Sequence, residues 1–335
     1  MKSASDKSKE ITNKVKKLLE EKGKEPLNAA RNLIFKNKAI CKEIRDALKY
    51  FMYEYWNDLT TPTLLCLSCE AVGGSAYQVK HIAIPLIMIS GAIDIHDDII
   101  DQSTKKEGKL TVFGKFGSEI AIITGNFLLV EGFTLLNEFY NKLPRNKSSH
   151  ISKIIMNSLF ELANAEALEI SLMKKLHNGK RVKPEEYLQV IELKAGDIDG
   201  LFKIGAILGG GSKAEITLLG QYGRYLGMLS ILRDDLMDLK DFREIKHRIK
   251  YEILPFALLC ALQNFYVDSN TFTFIRFLKS IKRVNDLWDL VIKSNGLKKH
   301  KELMEDIAAK GYSILNNLRY RKYYLKLLLD FLTLT

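Results

Sequence analysis

Ile82-Ala83-Ile84-Pro85-Leu86-Ile87-Met88-Ile89 leads, through residues 90–96, into Asp97-Asp98-Ile99-Ile100-Asp101. An apolar run of this kind, free of turn residues and ending in acids, reads as a buried helix with a charged last turn. The first and fifth residues of the pentad share one face, because about four residues complete a turn. The pattern recurs where Tyr225-Leu226-Gly227-Met228-Leu229-Ser230-Ile231-Leu232 leads through Arg233 into Asp234-Asp235-Leu236-Met237-Asp238. One acidic pentad is ordinary on a solvated helix. Two of the same pattern, each behind an apolar helical run, are not. Burying such acids without partners would cost roughly several kcal/mol each. Two such helices facing each other therefore require cations between them. Carboxylate oxygens are hard ligands and select Mg2+, which keeps waters and completes its shell with phosphate oxygens. The spacing predicts an all-α protein that holds a diphosphate through Mg2+.

The remainder of the chain agrees with a helical reading. It has 335 residues and is 47% hydrophobic, enough for a large core. Prolines at 26, 62, 85, 144, 184 and 255 leave long stretches with apolar residues at helical spacing, such as 151–176 and 214–236. Turn signals fall at Gly73-Gly74, Leu143-Pro144-Arg145-Asn146, Asn178-Gly179 and Gly209-Gly210-Gly211. No Pro/Gly/Ser-rich linker divides the sequence, so a single domain over 1–335 is predicted, with 1–50 a basic helical N-terminal region. Cys41, Cys66, Cys69 and Cys260 suggest a reducing compartment; Cys66 and Cys69 lack a second pair or a nearby histidine and read as small buried hydrophobes. The N-terminus lacks a signal-peptide core, and the longest uncharged candidate for a membrane span, Ile82 to Ile93, is too short. A cytoplasmic location is expected. The tail Arg319 to Thr335 mixes Arg, Lys and Tyr with leucines, a composition for packing on the core or for peripheral contact with a membrane surface. The net charge of +11 is spread along the chain without an RNA-binding motif or zinc finger, which argues for a solvated basic surface and against nucleic acid.

Ile95-His96-Asp97-Asp98-Ile99-Ile100-Asp101-Gln102-Ser103, followed by Gly108-Lys109-Leu110-Thr111-Val112-Phe113-Gly114-Lys115-Phe116-Gly117, resembles the first aspartate-rich region of trans-isoprenyl diphosphate synthases, in the class I isoprenoid synthase superfamily. Arg233 with the second pentad resembles that family's second region, and Lys194-Ala195-Gly196 is similar to its Lys-Thr-Gly segment. Pro62 with Cys69-Glu70-Ala71-Val72-Gly73-Gly74 extends the likeness, which runs from about 55 to 262. The resemblance implies an isoprenoid-synthase helical bundle around a deep central cavity, and a homodimer. It implies three Mg2+ ions held by Asp97, Asp98, Asp101, Asp234, Asp235 and Asp238. Asp97, Asp101, Asp234 and Lys194 would be catalytic. Lys106, Lys194, Arg233 and either Lys250 or Arg248 would bind the diphosphate of an allylic substrate. That substrate ionises as pyrophosphate departs, and the prenyl group passes to an acceptor. Ala92 and Ile93 would floor the tunnel for the prenyl tail, and the small Ala92 leaves room for C15 or longer.

The acceptor half departs from the family pattern. Where the family has Gly-Lys-x-x-Arg-Pro, this chain has Asn57, Asp58 and Thr61 before Pro62; where it has paired arginines, this chain has Lys106-Glu107. Ile231 replaces a glutamine. A cation missing from a diphosphate site weakens binding by about 1.5–3 kcal/mol for each charge-assisted hydrogen bond it would have made. The resemblance thus points to an enzyme that ionises an allylic polyprenyl diphosphate without holding isopentenyl diphosphate in the usual way. Asp94, Asp58, Thr61 and Glu107 mark its acceptor site. Asp94 lies on the same helical arc as Asp98 and Asp101; it pairs with a basic neighbour or serves a polar acceptor. A conventional geranylgeranyl or longer-chain synthase, a terpene-synthase-like activity and a non-catalytic subunit of a heteromeric synthase stay open as alternatives.

Overall fold

The computed structural model describes residues 4–36, 41–106, 108–265, 271–318 and 320–334. Apolar periodicity produces helices almost throughout, as the all-α reading expects. In chain order they are α1 (Ala4–Ile34), α2 (Lys42–Lys49), α3 (Thr60–Ala71), α4 (Lys80–Ile100), α5 (Val112–Tyr140), α6 (Arg145–His177), α7 (Pro184–Lys194) and α8 (Gly196–Leu208). They continue as α9 (Lys213–Asp238), α10 (Phe242–Tyr251), α11 (Phe256–Phe265), α12 (Thr271–Ser280), α13 (Val284–Lys293), α14 (Gly296–Asn317) and α15 (Lys322–Leu332). A π-helical turn, Tyr50–Tyr55, extends α2. Among the described residues, β structure is confined to a small antiparallel hairpin of β1 (Lys105–Lys106) and β2 (Lys109–Leu110).

The helices gather into two compact units. The first comprises the described residues of Met1–Lys153, Leu201–Ile216 and Arg319–Arg321; the second comprises those of Ile154–Gly200, Thr217–Leu318 and Lys322–Thr335. In the first unit α4 is central, packing along α5 and against α1 and α3. Its buried residues Ile87, Met88, Ala92 and Ile95 join Phe51, Met52 and Leu128 in one core. Gly132 allows α5 to come this close, since a Cβ there would stand 3.1 Å from the Pro85 carbonyl oxygen and 2.8 Å from the Ile89 side chain. Helix α5 was not singled out in the sequence, yet it is long and apolar enough to cross a membrane by length and composition, with a mean hydropathy of 1.5. It buries one face on α4 and leaves Ile122, Ile123 and Val130 exposed. Cys66 and Cys69 are buried in α3, where burial pushes both thiols up to about 11, in keeping with their reading as hydrophobes.

The second unit is tied together by polar staples between helices. Arg224 on α9 donates to Glu161 of α6 at 2.7 Å, to Asp199 of α8 at 2.5 Å and to the Glu192 carbonyl of α7 at 2.8 Å. The C-terminal leucines Leu325, Leu327, Leu328, Leu329 and Leu332 are buried on α15, which packs on α14, and the Tyr222 hydroxyl donates to the Leu325 carbonyl at 2.7 Å. Of the two readings of the tail, these residues follow the one that packs it on the core.

Candidate active site

The first pentad ends α4. The Asp101, Gln102 and Ser103 amides donate to the carbonyls of Asp97, Ile99 and Asp98, and Gln102 takes a left-handed φ of 56° that stops the helix. The chain then reverses through the β1–β2 hairpin, which is closed by Gly108 at φ 80°. That reversal carries Lys106 back onto the pentad. Its Nζ lies 2.8 Å from Asp98 Oδ1 and 3.5 Å from Asp97 Oδ2. Burial works against the Lys106 charge, but the carboxylates of Asp97, Asp98 and Asp101 overcome it and keep the ammonium protonated. Asp98 is only 2% exposed, and burial raises its pKa while Lys106 offsets part of that rise. The Tyr55 hydroxyl donates to Asp98 through a long bond of 3.5 Å. Asp97 and Asp101 are only partly covered.

One turn before the pentad, Asp94 accepts a hydrogen bond from the Trp56 indole Nε1 at 2.5 Å. Of the two sequence readings, the basic partner is not what Asp94 bonds to. Its carboxyl keeps contact with solvent although protein packs closely round it, and this setting pushes it up to about 7, through desolvation first and the charges of Asp58 and Asp97 after it. Asp58 Oδ1 accepts from the Thr60 amide at 2.8 Å and the Thr61 amide at 3.0 Å, so this acid caps the start of α3. Its Oδ2 is buried; burial raises the Asp58 pKa, and hydrogen bonds from the Thr61 side chain and the Thr60 and Thr61 amides offset it. Ala92 is fully buried in the core and Ile93 is half-buried. Glu107 lies outside the described residues.

In the second unit, α9 ends at the second pentad. Asp235 is 1% exposed and saturated: its Oδ1 accepts from Arg248 Nη1 at 2.6 Å and from the Tyr187 hydroxyl at 3.1 Å, and its Oδ2 from the Phe256 amide at 2.8 Å. Arg248 also donates to Asp238 Oδ2 at 2.8 Å. Asp234 stays open to solvent on one side and is pushed up to about 6 by desolvation and by the nearby Asp238 charge. Burial likewise raises Asp238, with Arg248 offsetting it. The structure brings Arg248, not Lys250, to the pentad; Lys250 points its ammonium over the Tyr251 ring at 4.4 Å. Arg233 lays its guanidinium over the Phe331 ring at 4.2 Å. Lys194, the last residue of α7, pairs with Glu166 at 2.8 Å and Glu169 at 2.5 Å on α6. Gly196 beside it allows α8 to start against α6, since a Cβ there would overlap the Glu161 carboxyl at 2.1 Å.

Sequence reasoning gave Trp56, Tyr55, Tyr187, Glu166 and Glu169 no role. Among the described residues, no three His, Cys, Asp or Glu side chains are drawn into a ready-made metal cage. A closed cage is not what Mg2+ needs, since it binds through one or two carboxylates and takes other oxygens from water and phosphate. The donor chemistry fits: in each pentad the second aspartate is buried against the chain's own cation, and the first and fifth keep accessible carboxylate oxygens.

Comparison with known proteins identifies the family and the fold. Residues 43–250 match the polyprenyl synthetase family. A short chain isoprenyl diphosphate synthase of Methanothermobacter thermautotrophicus is 32% identical over 182 residues, or 53% of each chain. A geranylgeranyl pyrophosphate synthase of Geoglobus acetivorans is 28% identical over 236 residues, covering 70% of this chain and 66% of the other. The match thus spans about half the length of the first relative and about two thirds of the second. In structure, the geranylgeranyl pyrophosphate synthetase of Pyrococcus horikoshii superposes with a TM-score of 0.81 at 23% identity, covering 96% of this chain and 99% of that one. A polyprenyl synthase of Caulobacter crescentus, solved with calcium and isoprenyl diphosphate, gives 0.77 at 20% identity, covering 95% and 97%. At these identities the structures share the fold. With the family match extending over more than half of its residues, the chain belongs to the polyprenyl synthetase family of prenyltransferases.

Proposed function

We propose that this protein is a Mg2+-dependent prenyltransferase of isoprenoid biosynthesis that ionises an allylic polyprenyl diphosphate of C15 or longer. The observation that carries this reading is the state of the pentads: all six aspartates are present, Asp98 and Asp235 are buried and braced, and their neighbours keep solvent-accessible faces. Asp97 and Asp101 in the first unit, and Asp234 and Asp238 in the second, would each offer carboxylate oxygens to Mg2+. Bound Mg2+ supplies Lewis-acid stabilisation of the departing pyrophosphate. Lys106 and Lys194 hold their ammonium groups beside carboxylates, and each would offer its charge to phosphate oxygens. Arg248 braces Asp235 and orients the second pentad.

Asp58, Thr61 and Glu107 stand where the family pattern would call for cations, which weighs against isopentenyl diphosphate as acceptor. The names of the relatives favour the second reading, a conventional geranylgeranyl or longer-chain synthase. Self-association is proposed through α5, whose exposed Ile122, Ile123 and Val130 form an apolar face. The four cysteines, all free, fit a reducing compartment such as the cytoplasm.

The test is incubation with Mg2+ and a C15 or C20 allylic diphosphate, with and without isopentenyl diphosphate, following pyrophosphate release and products. Pyrophosphate release without efficient elongation is the expected result. Elongation with a micromolar KM would establish the conventional reading. No pyrophosphate from any allylic substrate would refute the proposal.

A further inference from the structure

Resting on the proposed function and deepening it, we infer that Glu166 and Glu169 are positioning residues for the diphosphate, holding the Lys194 ammonium in place before substrate arrives. Helix α6 turns Ala165, Glu169, Leu172 and Leu176 onto one buried face. Among these apolar side chains Glu169 is a carboxylate at 9% exposure, and Glu166 stands one turn before it. Both converge on one cation. Lys194 Nζ lies 2.8 Å from Glu166 Oε1 and 2.5 Å from Glu169 Oε2. A buried ion pair is a poor source of stability, since apolar side chains of similar volume often do as well in its place. Two carboxylates on one ammonium are poorer still, because they repel each other. What the arrangement gains is orientation. An ammonium is a point charge on a flexible stem, and two short charge-assisted contacts fix where it points.

The other end of Lys194 is fixed as well. It is the last residue of α7, and Ala195 behind it is buried. A Cβ on Gly227 would stand 2.9 Å from the Ala195 Cβ, so glycine there lets α9 and the end of α7 meet. Asp234 follows Gly227 on the same helix, about 10 Å along its axis. Lys194 also lies about two turns beyond Tyr187 and so shares a face of α7 with it. The Tyr187 hydroxyl donates to Asp235, and the charges of Glu169 and Lys194 both act on it. Glu252 likewise feels both Glu169 and Asp238. Lys194 and its two carboxylates therefore stand in the same charged neighbourhood as the second pentad, all within the second unit. A cation held at both ends needs no reorganisation when negative charge builds on a departing pyrophosphate, so its contribution falls on the transition state more than on ground-state binding. Loosening the carboxylates should lower kcat more than it raises KM.

The experiment follows pyrophosphate release by the full chain with Mg2+ and geranylgeranyl diphosphate, with and without isopentenyl diphosphate, and compares all variants in the mixture where the wild type turns over. Glutamine keeps the volume of Glu169 and removes its charge. Glu169→Gln should lower kcat about tenfold or more, the scale on which residues that orient a ligating group act, and should move the KM for the allylic diphosphate less than about threefold. Glu169→Asp, with the charge on a shorter stem, should recover part of that loss. Lys194→Met should lose about a hundredfold. Because Glu169 acts through Lys194, the double variant Lys194→Met/Glu169→Gln should be no slower than Lys194→Met alone. A carboxylate that only supports the fold would slow the double variant by the product of the single effects, and that result overturns the inference. So does an unaltered kcat in Glu169→Gln, a loss confined to KM, or a wild-type rate in Lys194→Met. Circular dichroism checks that each variant folds; if Glu169→Gln does not, Glu166→Gln, on the more exposed of the two side chains, takes its place in the cycle with the same expectations. Absence of pyrophosphate release from the wild type overturns the proposed function itself, and this inference with it.

Discussion

Replacing Arg248 by methionine isolates what holds the second pentad. The guanidinium is buried and donates to Asp235 Oδ1 at 2.6 Å, Asp238 Oδ2 at 2.8 Å and the Tyr187 hydroxyl at 3.2 Å. Methionine fills much of the stem's volume but carries no charge. It leaves Asp235, only 1% exposed, with the neutral donors of Tyr187 and Phe256 alone. Removing one partner of a buried ion pair costs about 3–5 kcal/mol, because the other charge stays buried. The two surviving hydrogen bonds put the expected loss at the lower end, about 3 kcal/mol. At about 2–4 °C per kcal/mol for larger domains, the melting temperature should fall by roughly 6–12 °C. The double variant Arg248→Met/Asp235→Asn removes both charges and should regain at least about half of that loss. Circular dichroism melts in EDTA, near neutral pH, keep a metal ion from standing in for the arginine. A fall below about 2 °C would refute the reasoning, as would a double variant as unstable as the sum of the singles.

Ala92→Phe should shift preference from C20 toward shorter allylic substrates, read from relative kcat/KM, and should destabilise by about 1–3 kcal/mol because Ala92 is fully buried and a larger side chain must displace its neighbours; an unchanged tail preference contradicts its expected place at the tunnel floor. Asp97→Ala and Asp234→Ala should each lower pyrophosphate release by about a hundredfold and weaken Mg2+ binding by calorimetry, and an unaltered isotherm would remove those residues from the metal site. His300 is fully buried, its Nε2 on the Leu232 carbonyl at 2.9 Å, and burial lowers its pKa with Asp235 opposing and Lys301 adding to the fall. Its folded-state pKa thus lies below the unfolded value of about 6.5, so the stability it contributes is complete above that pH and is lost as pH falls below it. Urea titrations of His300→Gln should show a flatter acid slope than wild type, and identical slopes would exclude the histidine as a cause. Asp94 has the opposite sign. Its raised folded-state pKa, set by desolvation and by Asp58 and Asp97 against Lys106 and Trp56, makes stability fall as pH rises toward 7. Asp94→Asn should therefore stabilise the metal-free protein at pH above about 7 relative to wild type, and a destabilised variant there would contradict the assignment.

The helical class and both pentads were legible because a buried helix has a local period that a single sequence displays. Partners from distant elements have none. Nothing near Asp94 points to Trp56, 38 residues earlier; the pair exists only because Gly91 lets an indole cross α4. Other features carried signals that were open to reading. Asp58 immediately precedes Leu59-Thr60-Thr61-Pro62, an acid ahead of a helix start, so its helix-capping role was readable beside its place in a family pattern. On α10 the buried positions are Ile245, Arg248 and Ile249, spaced as one helical face, and that spacing by itself separates Arg248 from Lys250. The exposed face of α5 was hidden by its own composition: a helix apolar all round does not announce which side will lack a neighbour.

The two pentads solve one electrostatic problem with different cations, and the difference assigns different duties. A buried second aspartate needs a counter-charge whether or not metal is present. At Asp235 the counter-charge is an arginine, itself buried, whose Nη1 donates to both Asp235 and Asp238 while its Nη2 meets Tyr187. Losing any of these bonds would strand a charge, so Arg248 suits a permanent brace. At Asp98 the counter-charge is a lysine on a hairpin, its side chain 42% exposed and its ammonium a point charge on a flexible stem. With the proposed diphosphate bound, Lys106 would turn from Asp98 toward a phosphate oxygen while remaining close enough to offset the carboxylate. An arginine forked onto Asp98 would give up more hydrogen bonds in making the same move. The substitution of lysine for the family's arginine at 106 would thus suit the proposed allylic half, whereas acids at 58 and 107 would reverse the charge expected of the acceptor half. On this reasoning the chain's divergence is concentrated in what receives the prenyl group, not in what releases it.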